Sequence, residues 1–182
     1  MARALVHAHA RGVFPRPKRR RCQPECIMTH FDDLLTPKAL SSSLSVSGKK
    51  QLFQKLGDMA ALAYGLNAGA VSERLTERER LGSTGFGGGI AIPHAKMEGI
   101  DKVCGLVVLL DQPIGFDAVD NAPVDVIFAL LSPLDSGAEH LKTLARVSRY
   151  LRNENQITRL RGVGSDEALF ALLSGNEARD AA

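Results

Sequence analysis

The sequence predicts a single α/β domain, a mixed, mostly parallel sheet of about five strands with helices on both faces. Three observations carry this. The runs Val103–Leu110 and Val124–Leu131 are almost wholly apolar, as strands covered on both faces must be. Segments with helical spacing of apolar residues alternate with such runs, the order that builds helical layers around a sheet. At 182 residues the chain can bury one sizeable core and still carry a tail.

The elements follow in order from Met28. Phe31-Asp32-Asp33-Leu34-Leu35-Thr36-Pro37 is a lead-in, and Leu40–Val46 reads as an early strand. Ser47 is placed to cap a helix whose stripe is Leu52, Phe53, Leu56, Met59, Ala60 and Ala63, closed by Gly65. Lys49 and Lys50 in its first turn run against the helix dipole and read as a solvated end or a partner contact. Asn67 starts a second helix through Val71 and Leu75, ending near Leu81-Gly82. Its run of Glu and Arg from Glu73 to Arg80 describes a solvated face with paired charges. Ile90-Ala91-Ile92 is a short buried strand, which Pro93 ends. Between the two long apolar strands, Asp111-Gln112-Pro113 reads as a turn, and Phe116-Asp117 and Asp120-Asn121 punctuate a loop. Leu141, Leu144, Ala145, Ser148 and Leu151 mark a helix after Ser136-Gly137, with His140 in its first turn. A shorter helix covers Gln156–Leu160. Ser165 caps the last one, with Leu169, Phe170 and Leu173 inward and Asp166-Glu167 suiting its dipole.

Composition narrows the function classes. Hydrophobic residues make up 45% and charged residues 24%, ordinary for a globular chain. No apolar run approaches the ~18 residues of a membrane span, so no permease segment lies in this chain. Three cysteines give no even disulfide framework, and Cys104 reads as a small core residue. The net charge of +3 is unevenly placed. Residues 1–27 carry seven Lys/Arg against Glu25, which leaves the body from Met28 at −3 and argues against a nucleic-acid face there.

Residues 1–27 themselves read as a disordered basic extension preceding the start expected at Met28. Three other readings compete: Lys18-Arg19-Arg20-Arg21 as a polyanion site, an Arg-rich transit-like peptide, and a zinc site of Cys22, Cys26 and His30. Zinc is the weakest, for want of a second ligand pair.

The most informative stretch is Gly82–Ala95, GSTGFGGGIAIPHA. Its glycines allow positive φ and close backbone approach, and His94 follows the strand and Pro93 beside that loop. Taken alone, this is a Gly-rich turn before a strand with a surface imidazole. Nucleotide loops are excluded: there is no G-x-x-x-x-G-K-[ST], and the glycines precede a strand where a dinucleotide loop follows one. No G-x-S-x-G elbow and no H-E-x-x-H pair exist, so neither a hydrolase nor a metal site is expected.

Phe86-Gly87-Gly88-Gly89-Ile90-Ala91-Ile92-Pro93-His94-Ala95, with Glu79 upstream, resembles the phosphorylation-site signature of type-2 enzyme IIA domains. These belong to the phosphoenolpyruvate-dependent phosphotransferase system, in its fructose/mannitol class. Arg78-Glu79-Arg80-Leu81-Gly82-Ser83-Thr84-Gly85 and Phe116-Asp117-Ala118-Val119-Asp120-Asn121-Ala122-Pro123-Val124-Asp125 resemble its nitrogen-regulatory branch, PtsN. The resemblance runs from about Met28 to the C-terminus and implies an enzyme IIA domain over 28–182.

It implies that His94 accepts a phosphoryl group on its distal nitrogen from an HPr-like donor protein. Histidine suits this, since an imidazole of pKa near ~6.5 is about three quarters neutral at pH 7. Arg78 matches the functional arginine of the family, and its fork can hold two phosphoryl oxygens. An exposed Arg paired with a nearby Glu is the competing reading of Arg78, and Arg80 is the competing arginine. His140 matches the second histidine, which borders the first and donates to the phosphoryl group. Ser83, Thr84 and the amides of Gly85 and Gly87 are candidate loop donors. The implied role is a cytoplasmic phosphocarrier that regulates target proteins, without cofactor, metal or membrane insertion. Two alternatives stand beside it: a sugar-specific enzyme IIA serving a separate enzyme IIB, and a binding module whose histidine is never phosphorylated.

Overall fold

A computed structural model describes residues 30–175. Six strands form one mixed sheet: β1 (Leu40–Leu44), β2 (Gly85–Gly87), β3 (Ile90–Ala91), β4 (His94–Met97), β5 (Cys104–Ile114) and β6 (Val124–Pro133). Five helices accompany them: α1 (Lys49–Tyr64), α2 (Ala68–Arg80), α3 (Gly137–Leu151), α4 (Glu154–Arg161) and α5 (Asp166–Ser174).

The strands run in the order β1-β5-β6-β3-β2, with β4 also paired to β6. β5 and β6 pair antiparallel over their length, while β1 on β5 and both β3 and β4 on β6 are parallel. The two apolar runs lie in these central strands, and period-2 alternation sends successive residues to opposite covered faces, which leaves Asp125 as the one charged residue in either run. Leu106, Val108, Ile127, Ala129 and Leu131 enter a core under α1 and α2. Val107, Leu109, Val126, Phe128 and Leu130 enter a second core under α3, α4 and α5. Phe31 seals the second, edge-on to Phe128 at 5.2 Å and to Tyr150 at 5.1 Å.

Several local expectations are corrected. Pro93 interrupts the run beside β6 without ending the pairing: its carbonyl accepts the Leu130 amide at 2.8 Å, and pairing resumes at His94 opposite Leu130. His94 therefore opens β4 instead of closing β3. Asp111-Gln112-Pro113 is not a turn; β5 carries on to Ile114 through an irregular register. Exposed Pro113 is tolerated there because the ladder is already broken. Gly48, not Ser47, is the N-cap of α1, and the Ser47 hydroxyl and amide both donate to Gln51 Oε1. The inward stripe of α3 is Thr143, Val147, Tyr150 and Leu151, while Leu141 and Ala145 face outward. Asn67 and Ser165 cap α2 and α5 as their chemistry predicts, accepting from Ala70 and Ala168. Of the zinc reading only His30 lies among the described residues, and these contain no cluster suited to a metal. Residues 1–27 lie outside the description. Among the described residues no helix is long and apolar enough to cross a membrane.

Candidate active site

The interrupted run beside β6 sets His94 beside the end of α2. With Ile92 held by the backbone and Pro93 fixing the next φ, the ring turns back on its own chain. His94 Nδ1 lies 2.9 Å from the Ile92 carbonyl. A carbonyl only accepts, so Nδ1 carries the ring proton. Nε2 is then a lone pair, and it receives a hydrogen bond from Arg78 Nε at 3.0 Å. Arg78 Nη1 donates to the Gly82 carbonyl at 3.0 Å, which fixes the plane of the guanidinium. Both contacts of His94 select the same tautomer.

His140 arrives from the first turn of α3, its ring centroid 5.4 Å from that of His94 and tilted by 49°. Its Nδ1 sits 2.7 Å from Ser132 Oγ, near the end of β6. Burial pushes both imidazoles below their ordinary pKa. At His94 the nearby Arg78 charge adds to this against the opposing Ile92 hydrogen bond and Glu79 charge. At His140 the His94, Lys96 and Arg78 charges add to it. Two neutral rings at neutral pH result.

They share an open pocket of about 460 Å³ with Arg74, Lys96 and the exposed side chains of Leu81 and Leu134. Arg74 is tied to Glu77 at 3.2 Å, and Lys96 donates to the Leu134 carbonyl at 2.9 Å. Three cations against one carboxylate make the pocket electropositive, suited to a dianionic group.

Arg80 lines a different groove, about 540 Å³ between α1 and α2, with Lys49, Lys50 and Phe53. The structure thus brings Arg78, His94 and His140 together and leaves Arg80 outside. Ser83 and Thr84 are engaged elsewhere. Ser83 Oγ bonds Glu79 Oε1 at 3.0 Å and the Phe116 carbonyl at 2.8 Å, and the Thr84 amide and hydroxyl both donate to Glu79 Oε2. Gly85 is packed so tightly that a Cβ there would lie 2.7 Å from Ala118 Cα. Gly87 is held near Asp120, which accepts the Gly88 amide at 2.8 Å.

Glu79 was hidden by its sequence context. It sits in a charged run, yet its side chain is only 7% exposed and bridges Lys49 at 3.0 Å to the loop. Lys49 also pairs with Asp117 and lies 4.5 Å over the Phe116 ring, so it is not a free helix end. Burial lowers the Lys49 pKa, but the Glu79 and Asp117 carboxylates outweigh it and hold it above the ordinary value. Glu79's place upstream of the glycine stretch was its only sequence signal; Ser132 had none.

Residues 33–176 match the family described as phosphoenolpyruvate-dependent sugar phosphotransferase system, EIIA 2. The chain belongs to this family of type-2 enzyme IIA domains. Within it, the similarity lies with the nitrogen-regulatory branch. The chain is 44% identical to the nitrogen regulatory protein of Bradyrhizobium diazoefficiens over 142 residues, 78% of this chain and 93% of that one. Against the nitrogen regulatory protein of Escherichia coli it is 39% identical over 148 residues, 81% and 91% of the two chains. The crystal structure of nitrogen regulatory protein IIA-Ntr from Neisseria meningitidis superposes with a TM-score of 0.73 at 35% identity, over 78% of this chain and 97% of that one.

Proposed function

We propose that the domain, expected to span 28–182, is a phosphohistidine carrier in which His94 Nε2 accepts a phosphoryl group from an HPr-like protein. The observation that supports this most is the tautomer of His94: its proton is committed to the Ile92 carbonyl, and its lone pair faces the pocket. In the transfer, the P–N bond to the donor imidazole breaks as the P–Nε2 bond forms. The donor ring, protonated on its other nitrogen, keeps the electron pair and leaves as a neutral imidazole, while the His94 ring keeps its Nδ1 proton on Ile92 and takes up the positive charge. Little else is asked of the protein, because phosphoryl transfer depends mainly on positioning and charge.

Arg78 takes part by changing partners. Its Nε–H caps the lone pair at rest and moves to the phosphoryl oxygens when the donor displaces it. His140, one ring away, supplies a second donor. Similarity to nitrogen regulatory proteins supports a regulatory role in the cytoplasm, where phosphorylation state selects the target proteins bound. Incubation with phosphoenolpyruvate, enzyme I and an HPr-like protein tests the reading by intact mass. An acid-labile phosphoryl group is expected on the chain and none on His94→Ala. Undiminished labelling of that variant would place the acceptor elsewhere, and an unlabelled wild-type chain would make this a binding module.

A further inference from the structure

We propose that Ser132 is a positioning residue that holds His140 as the Nε2–H tautomer, so that the paired histidines carry opposite tautomers. Ser132 is fully buried, one of two buried polar side chains among the described residues. Its hydroxyl has a single described hydrogen-bond partner, His140 Nδ1 at 2.7 Å. Two arrangements fit that distance. If Nδ1–H donated to Oγ, the hydroxyl proton of Ser132 would be left in the interior with no acceptor. If Oγ–H donates to Nδ1, both the hydroxyl proton and the Nδ1 lone pair are satisfied. An unpaired buried donor costs much more than an unused hydroxyl lone pair, which selects the second arrangement.

His140 then keeps its proton on Nε2, the nitrogen that Ser132 does not hold. Across the pocket, His94 is the reverse: Nδ1–H is bound to Ile92 and Nε2 is the lone pair. One ring is built as nucleophile and its neighbour as neutral donor, without either being protonated twice. The strand supplies the precision. Ser132 sits opposite Lys96 in the same β4–β6 ladder that pairs His94 with Leu130, so one register places both the acceptor and the residue that orients its neighbour. Nothing in the sequence marks Ser132, which lies in an otherwise apolar strand end.

The inference rests on the reading of His94 as phosphoryl acceptor only for its effect on transfer; the tautomer itself can be measured without any phosphate. Long-range proton–nitrogen correlation NMR on the nitrogen-labelled full chain, at mildly alkaline pH, is expected to show His140 as a single Nε2–H form. In Ser132→Ala both tautomers should be populated, and Ser132→Thr, which keeps the hydroxyl, should restore one. Single-turnover transfer from the phosphorylated HPr-like protein should slow by roughly threefold to tenfold in the alanine variant, the range of one hydrogen bond, and recover in the threonine variant. A wild-type His140 carrying its proton on Nδ1 overturns the proposal. So does an alanine variant with the wild-type tautomer pattern. An altered tautomer with full-rate transfer overturns the link to catalysis. If the wild-type chain accepts no phosphoryl group, the acceptor reading of His94 fails, while the tautomer result still decides the role of Ser132.

Discussion

Arg78 and Glu79 are neighbours at the end of α2, yet they lead into two differently built regions. On the Glu79 side every polar group is committed. Both carboxylate oxygens receive hydrogen bonds, from Lys49 and Ser83 on one and from Thr84 on the other, and Lys49 is shared with Asp117. On the Arg78 side the contacts are exchangeable. The bond from Arg78 Nε to His94 Nε2 lies at an open pocket, so Arg78 can donate instead to a phosphoryl oxygen or water, and the Nε2 lone pair can accept from water, without leaving a buried group unpaired. The hydroxyls of the loop that looks most chemical in the sequence are therefore engaged within the fold, and it is at Arg78 and His94 that the hydrogen bonding can be rearranged.

Variants on the two sides should separate stability from rate. Glu79→Ala is expected to have the largest effect, a loss of about 2–3 kcal/mol in denaturant unfolding. That sits at or just below the lower end for breaking a buried ion pair, because Lys49 keeps some solvent contact and Asp117. Folded Glu79→Ala should still accept phosphate; unchanged stability with transfer lost would reverse the assignment of the two sides. Arg78→Ala should slow single-turnover transfer about tenfold, equivalent to ~1.4 kcal/mol in the transition state, with a small change in melting temperature. Arg78→Lys should recover part of the rate, since an ammonium keeps the charge without the fork. Arg80→Ala should match the wild type in transfer. A crippled Arg80→Ala beside a normal Arg78→Ala would show that the groove between α1 and α2, not the His94 pocket, carries the chemistry.

A smaller effect is expected with pH. His94 and His140 both have folded pKa values below the ordinary histidine value. Around pH 6.5 and just below, the unfolded chain binds more protons than the folded one, so stability rises with pH through this window and falls on acidification. Transfer should likewise persist below pH 6.5, where half of ordinary histidines are already protonated. His94→Ala and His140→Ala should each flatten the acid limb of the stability profile. A rate midpoint at or above the ordinary value would show that the rings are not held neutral.

The sequence made some of this legible for physical reasons. Val103–Leu110 and Val124–Leu131 could be read as central strands because covering both faces removes nearly all polar residues from a strand. Asn67 and Ser165 could be read as caps because the interaction is local. Ser47 has the same chemistry, but its hydroxyl is drawn to Gln51 and donates where a cap would accept. Pro93 reads as a stop because a proline cannot donate, while its carbonyl still accepts from Leu130, a partner found only in the sheet. Leu141 fits the apolar period of α3, but that face meets solvent beside His140. The contacts of Glu79 and the place of Ser132 could not be read because their partners, Lys49 and His140, are set by tertiary packing. His94, Arg78 and His140 came from the resemblance; their meeting in one pocket is what the fold adds.

The central claim is that the Nε2 lone pair of His94 takes the phosphoryl group while Nδ1 keeps its proton on Ile92. Proton–nitrogen and proton–phosphorus correlation NMR of the chain phosphorylated by an HPr-like protein tests this most directly. The account predicts a phosphorus coupled through Nε2 of His94, with Nδ1 still protonated. A phosphoryl group on Nδ1 of His94, or on either nitrogen of His140, would contradict it.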